Sequence, residues 1–188
     1  MGEKKEYRSA IRSRKLIRQA FLELLQEKEY QKITVTDIVN RADINRATFY
    51  AHYPDVLGLL EEIENEISAE MYQLLNEFDY NTFFDDPAPL MGKVLDYLQE
   101  GADLYRILVS SDGAIGFIEK LKTLFEQYMM AIEDVPDDVK GSPRYQVRIN
   151  YFAGGIVNIF LRWLTGKLSC STDEIVNEMC SLLKMGMQ

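Results

Sequence analysis

Apolar residues recur at three- and four-residue steps along most of this chain, which is the spacing of one face of an α-helix. Between Ser9 and Lys28, for example, Ile17, Phe21 and Leu24 follow this spacing, and basic residues occupy the opposite face. Alternation typical of a β-strand is confined to the short segment KITV. The sequence therefore predicts an all-α protein of about nine helices.

Helix-capping signals divide the N-terminal part of the chain into three predicted helices. Thr34 and Asp37 have the spacing of a capping box, which predicts the start of a short second helix. Asn45 is suited to cap a third helix after a short turn. Pro54 limits that helix, because the residue before a proline avoids the helical region. This arrangement predicts a helix-turn-helix motif at about residues 34–53.

Longer helices follow, and the whole chain is predicted to form two domains. We expect a three-helix head at residues 1–55 and an effector-binding and dimerisation domain at residues 56–188. Loops are expected at residues 80–89 and 133–143, where turn-forming residues cluster. The predicted helices of the second domain cover about residues 56–78, 90–99, 102–109, 114–132, 144–168 and 173–185.

Charge is distributed unevenly between the two predicted domains. The net charge is −9, yet residues 1–53 carry eleven Lys and Arg against seven Asp and Glu, which gives +4. The other residues carry ten against twenty-three, which gives −13. A basic head on an acidic body would orient the head towards DNA phosphates. Solvated helix faces could produce the same charge distribution, so charge alone favours neither interpretation over the other.

Several classes of protein are disfavoured by the composition. No apolar run reaches the length of about 18 residues that a membrane span needs, and the N-terminus lacks the apolar core of a signal peptide. Cys170 and Cys180 have the pattern of reduced structural thiols, and His52 is the single histidine. We therefore expect a cytoplasmic protein that is not an enzyme, with no catalytic residues, no metal and no cofactor.

The row TVTDIVNRADINRATFYAHY at residues 34–53 resembles the DNA-binding motif of the TetR/AcrR family of transcriptional regulators. The segment Phe49-Tyr50-Ala51-His52-Tyr53 matches the family's aromatic-Tyr-x-His-aromatic ending. The resemblance covers about residues 9–70, and a domain of the family's type would span about residues 11–71. It implies a homodimer that binds double-stranded operator DNA.

The resemblance also implies which residues face DNA. Arg46 is the candidate for reading a guanine, although a phosphate contact is an equally good interpretation. Phe49 is expected to be buried as the anchor of the recognition helix. The chain departs from the family at Asp43, where glycine is usual, and at Val56, where lysine is usual. The implied DNA-facing residues are Thr36, Asn45, Arg46, Ala47, Thr48, Tyr50 and His52.

Two glycines in the middle of a predicted apolar helix indicate a close helix-helix contact. Gly154 and Gly155 each cost roughly 1 kcal/mol relative to alanine, which makes sense if another backbone approaches there. In the resembled family the last two helices of each subunit form a dimeric four-helix bundle, so we expect the interface within residues 145–185. The predicted interface residues are Phe152, Gly154, Gly155, Ile159 and Trp163.

The segment SSDGAIGFIEKL and the later run GGI…WL resemble a subgroup of the family that includes a regulator of dihydroxyacetone-kinase expression. An unidentified small-molecule effector is expected to bind between the helices of the second domain and shift the fourth helix, with Val56 at the hinge. The leading hypothesis is a ligand-responsive repressor, and the alternative is a co-regulator that depends on a protein partner. The expected pocket residues, which could equally be ordinary core, are Tyr72, Tyr97, Tyr105, Phe117, Phe125, Tyr128 and Tyr151.

Overall fold

A computed structural model describes residues 2–78, 86–110, 114–131 and 135–187 of the chain. These residues form ten α-helices and one short 3-10 helix, and no strand occurs among them, which confirms the all-α prediction. Residues 80–85 of the predicted loop 80–89 lie outside the described residues. The helices are α1 (Gly2–Glu27), α2 (Val35–Arg41), α3 (Arg46–Tyr50), α4 (Val56–Asn76), α5 (Ala88–Glu100), α6 (Ala102–Ser110), α7 (Ala114–Met130), α8 (Asp137–Lys140), α9 (Pro143–Leu164) and α10 (Thr172–Met187).

The KITV segment, which had the only strand-like pattern, forms no strand. The 3-10 helix covers Tyr30–Lys32, Ile33 is extended and buried, and Thr34 already caps α2. Its alternation therefore reflects one buried isoleucine between two helical turns.

The chain divides into two compact units. The first unit runs to Glu66, and the second comprises most of the chain from Ile67 onward. Helix α4 contributes its first turns to the first unit and its last turns to the second unit. None of the helices in the described part of the chain is long and apolar enough to cross a membrane.

The core of the first unit is built from one apolar face of each of its helices. Ile17 and Phe21 of α1, Ile38 of α2, Phe49 of α3 and Leu59 of α4 all have an exposed fraction of 0%. Full burial of such a side chain stabilises the folded state by about 1.5–3 kcal/mol. The shared core fixes the short helices α2 and α3, which are too short to be stable alone.

Helix α9 ends earlier than its periodicity predicts. The predicted helix extends to residue 168, but α9 ends at Leu164, Thr165 caps it, and Gly166 adopts a positive φ of 70°. The backbone N–H groups of Lys167 and Leu168 donate to the carbonyl of Arg162 at 2.8 and 3.0 Å. Glycine takes this left-handed conformation without a steric penalty, so Gly166 terminates the helix.

The predicted loop at residues 133–143 contains a short helix, α8. Pro136 precedes its first turn, and Asp137 and Asp138 lie within that turn. Acidic side chains at this position interact favourably with the partial positive charge of the helix N-terminus. The loop prediction was wrong for these four residues, because turn-forming residues also favour the start of a helix.

Candidate nucleic-acid interface

The start of α2 is held by a network centred on Asp37. The Thr34 hydroxyl accepts a hydrogen bond from the Asp37 backbone N–H at 3.2 Å, and the Thr34 backbone N–H donates to Asp37 Oδ2 at 2.8 Å. Lys28 Nζ lies 2.7 Å from the same carboxylate oxygen. The Lys28 ammonium and the Thr34 donors lower the pKa of Asp37 to about 2. The predicted capping box is confirmed, and it also joins α2 to the segment that follows α1.

The turn between α2 and α3 depends on Asp43. This residue has a φ of 51°, the left-handed conformation that glycine usually adopts. The Ile44 backbone N–H donates to the carbonyl of Val39 at 3.0 Å across the turn. Asp43 therefore adopts the left-handed conformation at the position where the family usually has glycine, and Ile44 beside it is half-buried.

Helix α3 is anchored at both ends. Asn45 caps it, because its Oδ1 accepts from the Thr48 backbone N–H at 2.8 Å and from the Thr48 hydroxyl at 3.0 Å. Phe49 is completely buried, and its ring centroid lies 5.8 Å from that of buried Tyr53. Phe49 points inward, whereas Arg46 and Tyr50 lie on the outer face of α3 and are exposed. That face meets the structural requirement for a helix that enters the major groove.

The exposed face also includes a contact between the two helices of the motif. Arg46 Nη2 donates a hydrogen bond to Thr36 Oγ1 at 2.6 Å, so the first residue of α3 is joined to the second residue of α2. Both side chains are exposed. A guanidinium has five N–H donors, so four remain available to a ligand after this bond.

His52 lies at the end of the motif and contacts α1. Its Nε2 lies 2.7 Å from the Ser13 Oγ, and the ring is half-buried. Ser13 also donates to the backbone carbonyls of Ser9 and Ala10, both at 3.0 Å. Sequence analysis missed Ser13, because 39 residues separate it from His52 and no local pattern connects them.

Ion pairs and hydrogen bonds join α1 to α4 within the first unit. The Tyr53 hydroxyl donates to Glu62 Oε1 at 2.8 Å. Burial is the main cause that raises the pKa of Tyr53, and the hydrogen bond to this carboxylate raises it further. Arg14 Nη2 lies 3.9 Å from Glu62 Oε2, and Arg18 pairs with Glu66. The Tyr53 contact therefore joins the segment after α3 to α4, and the ion pairs join α4 to α1.

Several basic residues of the head are neutralised by neighbouring carboxylates, whereas Arg46 is not. Arg41 pairs with Glu23 at 3.4 Å and with Glu27 at 2.8 Å. Arg46 forms no ion pair with another residue in the described ranges, and its side chain is exposed. The positive charge of Arg46 is therefore available at the outer face of α3.

The structure places the seven predicted DNA-facing residues within the motif. Thr36, Asn45, Arg46, Ala47 and Tyr50 are exposed. Thr48 and His52 are half-buried and already engaged, Thr48 with Asn45 and His52 with Ser13. Side chains of this set that could reach bases or phosphates are those of Thr36, Arg46, Ala47 and Tyr50, whereas Asn45, Thr48 and His52 take part in contacts at the ends of α3.

The second unit contains a cavity of about 70 Å³ with an apolar wall. Phe125 is the one predicted pocket residue that lines it. Most of the lining of this cavity is aliphatic, whereas the expected pocket residues are aromatic. The lining residues are Met71, Leu75, Met91, Val94, Leu98, Leu121, Leu124, Phe125, Ile156, Val157, Phe160, Leu161 and Leu164.

The other six predicted pocket residues lie outside this lining. Tyr105, Phe117 and Tyr128 are buried in the core of the second unit. Tyr97 is half-buried, and its hydroxyl donates to Glu70 Oε2 at 2.8 Å. Burial is the main cause that raises the pKa of Tyr97, and hydrogen bonds to Tyr105 and Glu70 raise it further. The remaining two, Tyr72 and Tyr151, are exposed.

The predicted dimer residues lie on two different faces of α9. Phe152 is buried within its own unit. Gly155 is exposed, and Gly154, Ile159 and Trp163 are half-buried. A Cβ atom at either glycine would meet nothing within 4 Å. The glycines are therefore not required by packing within the chain.

Sequence comparisons identify two matching family models. The model of bacterial regulatory proteins of the tetR family matches residues 17–63. The model of a transcriptional regulator C-terminal region matches residues 85–185, which is more than half of the chain.

Curated relatives match over shorter stretches. The chain is similar to the uncharacterized HTH-type transcriptional regulator YxbF of Bacillus subtilis (strain 168), with 40% identity over 70 residues, which cover 37% of this chain and 18% of that protein. It is also similar to the HTH-type dhaKLM operon transcriptional activator DhaS of Lactococcus lactis subsp. lactis (strain IL1403), with 36% identity over 64 residues, 34% of each protein. The matches thus span about a third or less of these relatives.

Solved structures show the same fold over nearly the whole chain. A TetR transcriptional regulator from Streptococcus agalactiae 2603V has a TM-score of 0.71 at 20% identity, over 96% of this chain and 98% of that chain. The dihydroxyacetone kinase operon activator DhaS has a TM-score of 0.59 at 23% identity, over 91% and 93%. The resemblance seen in residues 34–53 is confirmed, and the chain belongs to the TetR family of bacterial transcriptional regulators.

Proposed function

We propose that this regulator is a cytoplasmic homodimer that binds a palindromic operator and releases it when an effector occupies the second unit. We assign a DNA-binding head to residues 1–55 and an effector and dimerisation domain to residues 56–188. The observation that carries the proposal is the outer face of α3, where exposed Arg46 and Tyr50 flank a helix fixed from behind by buried Phe49.

The outer face of α3 has the chemistry that base readout requires. An arginine can bind guanine O6 and N7 with two parallel N–H groups, and a tyrosine hydroxyl can donate to a phosphate. The recognition helix begins with Arg46, so this side chain enters the groove first in the usual docking geometry. We therefore assign base readout to Arg46, a backbone contact to Tyr50, and orientation of the Arg46 guanidinium to Thr36.

The exposed face of α9 supports the dimeric form. Val147 and Tyr151 have exposed fractions of 69% and 75%, and they precede Gly155 at helical spacing. Apolar side chains lie here beside two glycines whose Cβ positions are unoccupied by other atoms of the chain. Such a surface is suited to a second copy of the same helix. Two-fold symmetry would then present two recognition helices about 34–36 Å apart, on successive turns of one DNA face.

Helix α4 offers a route from effector to DNA-binding head. Its C-terminal residues Met71 and Leu75 line the cavity of the second unit, and its N-terminal residue Leu59 belongs to the core of the first. A ligand that favours one position of Met71 and Leu75 would shift the population of states of the whole helix. The presence of one helix in both the cavity wall and the core of the first unit therefore supports a regulator controlled by an effector.

Selection of bound duplexes from a random DNA pool tests the proposal. The wild-type chain should enrich a palindrome, and Tyr50→Ala and Arg46→Ala should each lose it. Lys167→Ala removes an exposed charge from the second unit and serves as the matched control. Repeating the selection at two salt concentrations separates sequence readout from phosphate attraction. Binding without sequence preference would contradict the proposal.

A second candidate function is activation together with a protein partner. DhaS, one of the relatives, is an operon transcriptional activator. In this chain Val56 begins α4 where the family usually has a lysine, so a phosphate contact is missing at that position. Transcription in vitro from a promoter that contains the selected palindrome separates the two functions, because a repressor lowers the transcript with no added partner.

A further inference from the structure

The wall of the cavity in the second unit has no polar side chain. All thirteen lining residues are Leu, Ile, Val, Met or Phe, and the surface they present is almost wholly apolar. A polar group buried without a hydrogen-bond partner weakens binding substantially. The part of any ligand that enters this cavity must therefore be uncharged and free of hydroxyl or amide groups.

The size of the cavity further restricts the ligand. Its volume of about 70 Å³ is roughly half that of the engineered apolar cavity, about 150 Å³, that binds benzene in another protein. A ring of that size would need the walls to move apart, which close-packed cores resist. An unbranched alkyl chain can place only its last few carbons in this space and leave the rest at the cavity mouth, whereas a ring has to enter whole.

Two of the lining residues are less buried than the others. Leu121 of α7 and Leu161 of α9 are only half-buried, whereas the other eleven lining residues are buried. The cavity wall is therefore closest to water at these two residues, and a polar head group placed there can stay hydrated. An amphiphile satisfies both environments, because its alkyl end is desolvated and its head group stays hydrated.

We propose that this cavity binds the alkyl end of a small amphiphile, with the terminal methyl group innermost and the head group at Leu121 and Leu161. The inference rests on the proposed ligand-responsive function and names the chemical class of its effector. Helix α9 supplies Ile156, Val157 and Phe160 to the wall, and its opposite face is the proposed dimer surface.

Two ligands of equal chain length test the proposal on the full chain without DNA. We would measure binding of 1-hexanol and 1,6-hexanediol by calorimetry and by the rise in melting temperature. The far hydroxyl of the diol has no partner in the cavity, so the diol should bind at least about tenfold more weakly than 1-hexanol. Equal binding of the two, or binding of neither, would overturn the proposal.

Filling the cavity provides the matched protein control. Val157→Ile adds one methylene at the cavity wall, whereas Val139→Ile adds the same group at an exposed position of α8. The first variant should bind 1-hexanol at least about fivefold more weakly, because the added group occupies the ligand's space. The second should bind as the wild type does. Unchanged binding by Val157→Ile would overturn the proposal, and Val94→Ile repeats the test if the first variant does not fold.

Failure of this inference can be distinguished from failure of the proposed function. If the wild-type chain enriches a palindrome but binds 1-hexanol and 1,6-hexanediol equally, or binds neither, then the proposed operator binding stands and the proposed effector class is wrong. Release of the operator by 1-hexanol, with no release by the diol at the same concentration, supports both.

Discussion

Arg46 Nη2 donates to Thr36 Oγ1 at 2.6 Å, so the hydroxyl of one helix orients the guanidinium of the next on the exposed face of the motif. Orientation reduces the side-chain entropy that Arg46 loses on binding a base. If Arg46 reads a guanine, Thr36→Val should weaken the preference for that base by about five- to tenfold.

Binding to operators that differ only at the preferred guanine measures this effect. Thr36→Ser keeps the hydroxyl and should retain the preference, while Arg46→Lys should lose it even with Thr36 present, because an ammonium lacks two parallel donors. A uniform loss of affinity for every duplex in Thr36→Val would assign Thr36 to a phosphate contact instead.

The capping network of α2 predicts a pH-dependent contribution to stability. Lys28 and Thr34 hold the pKa of Asp37 at about 2, below the ordinary value of 3.8, so the folded chain takes up this proton less readily than the unfolded chain. The stabilisation is therefore complete above about pH 4 and is lost as the pH falls towards 2. Urea unfolding between pH 2 and pH 6 measures it.

Variants at the same network give the magnitude. Thr34→Ala removes the cap and should lower the free energy of unfolding by about 1 kcal/mol, a decrease of about 2–4 °C in melting temperature. Asp37→Asn should flatten the pH dependence between 2 and 4. A variant that keeps the wild-type slope there would assign the effect to other carboxylates.

Asp43 predicts a difference between two substitutions at one position. Its φ of 51° suits glycine and is strained for alanine, which has a Cβ and no side-chain hydrogen bond to offer. Asp43→Gly should therefore be more stable than Asp43→Ala by about 1 kcal/mol. Chemical denaturation of both variants checks this, and equal stabilities would contradict the left-handed turn.

Adjacent aromatic residues in α3 should respond in opposite ways. Phe49 is completely buried, so Phe49→Ala should lower the free energy of unfolding by about 3–5 kcal/mol. Tyr50 has an exposed fraction of 54%, so Tyr50→Phe should change stability by less than about 0.5 kcal/mol. Yet this variant should bind the operator about fivefold more weakly, because it lacks the phosphate-binding hydroxyl. Denaturation and operator titration of both variants separate the two roles.

Local signals allowed the motif to be predicted. Thr34 with Asp37, and Asn45 with Thr48, are capping pairs three residues apart, so the helix starts could be read directly from sequence. The contact between Ser13 and His52 could not, because it depends on how α1 packs beside the motif. Side-chain chemistry was thus predictable where both partners lie within one helical turn.

The second unit was less predictable for a physical reason. Periodicity places a residue on an apolar face, but α9 has two such faces, one buried with Phe152 and one exposed with Tyr151. These adjacent residues were assigned to the dimer surface and to the pocket, respectively. The apolar lining was also missed, because tyrosine hydroxyls such as that of Tyr97 seek partners near the surface rather than in a dry cavity.

Gly155 gives the sharpest test of the proposed dimer. A Cβ atom there meets nothing within the chain, and leucine favours the helix by about 0.8–1 kcal/mol relative to glycine. Gly155→Leu should therefore leave the isolated subunit no less stable, while its bulk should push apart two closely approaching helices. We expect a higher dimer dissociation constant in sedimentation equilibrium and correspondingly weaker operator binding. Gly92→Leu is the matched control, because Gly92 also lies in a helix with open space at its Cβ, outside the proposed interface. An unchanged dissociation constant in Gly155→Leu would place the dimer contact elsewhere.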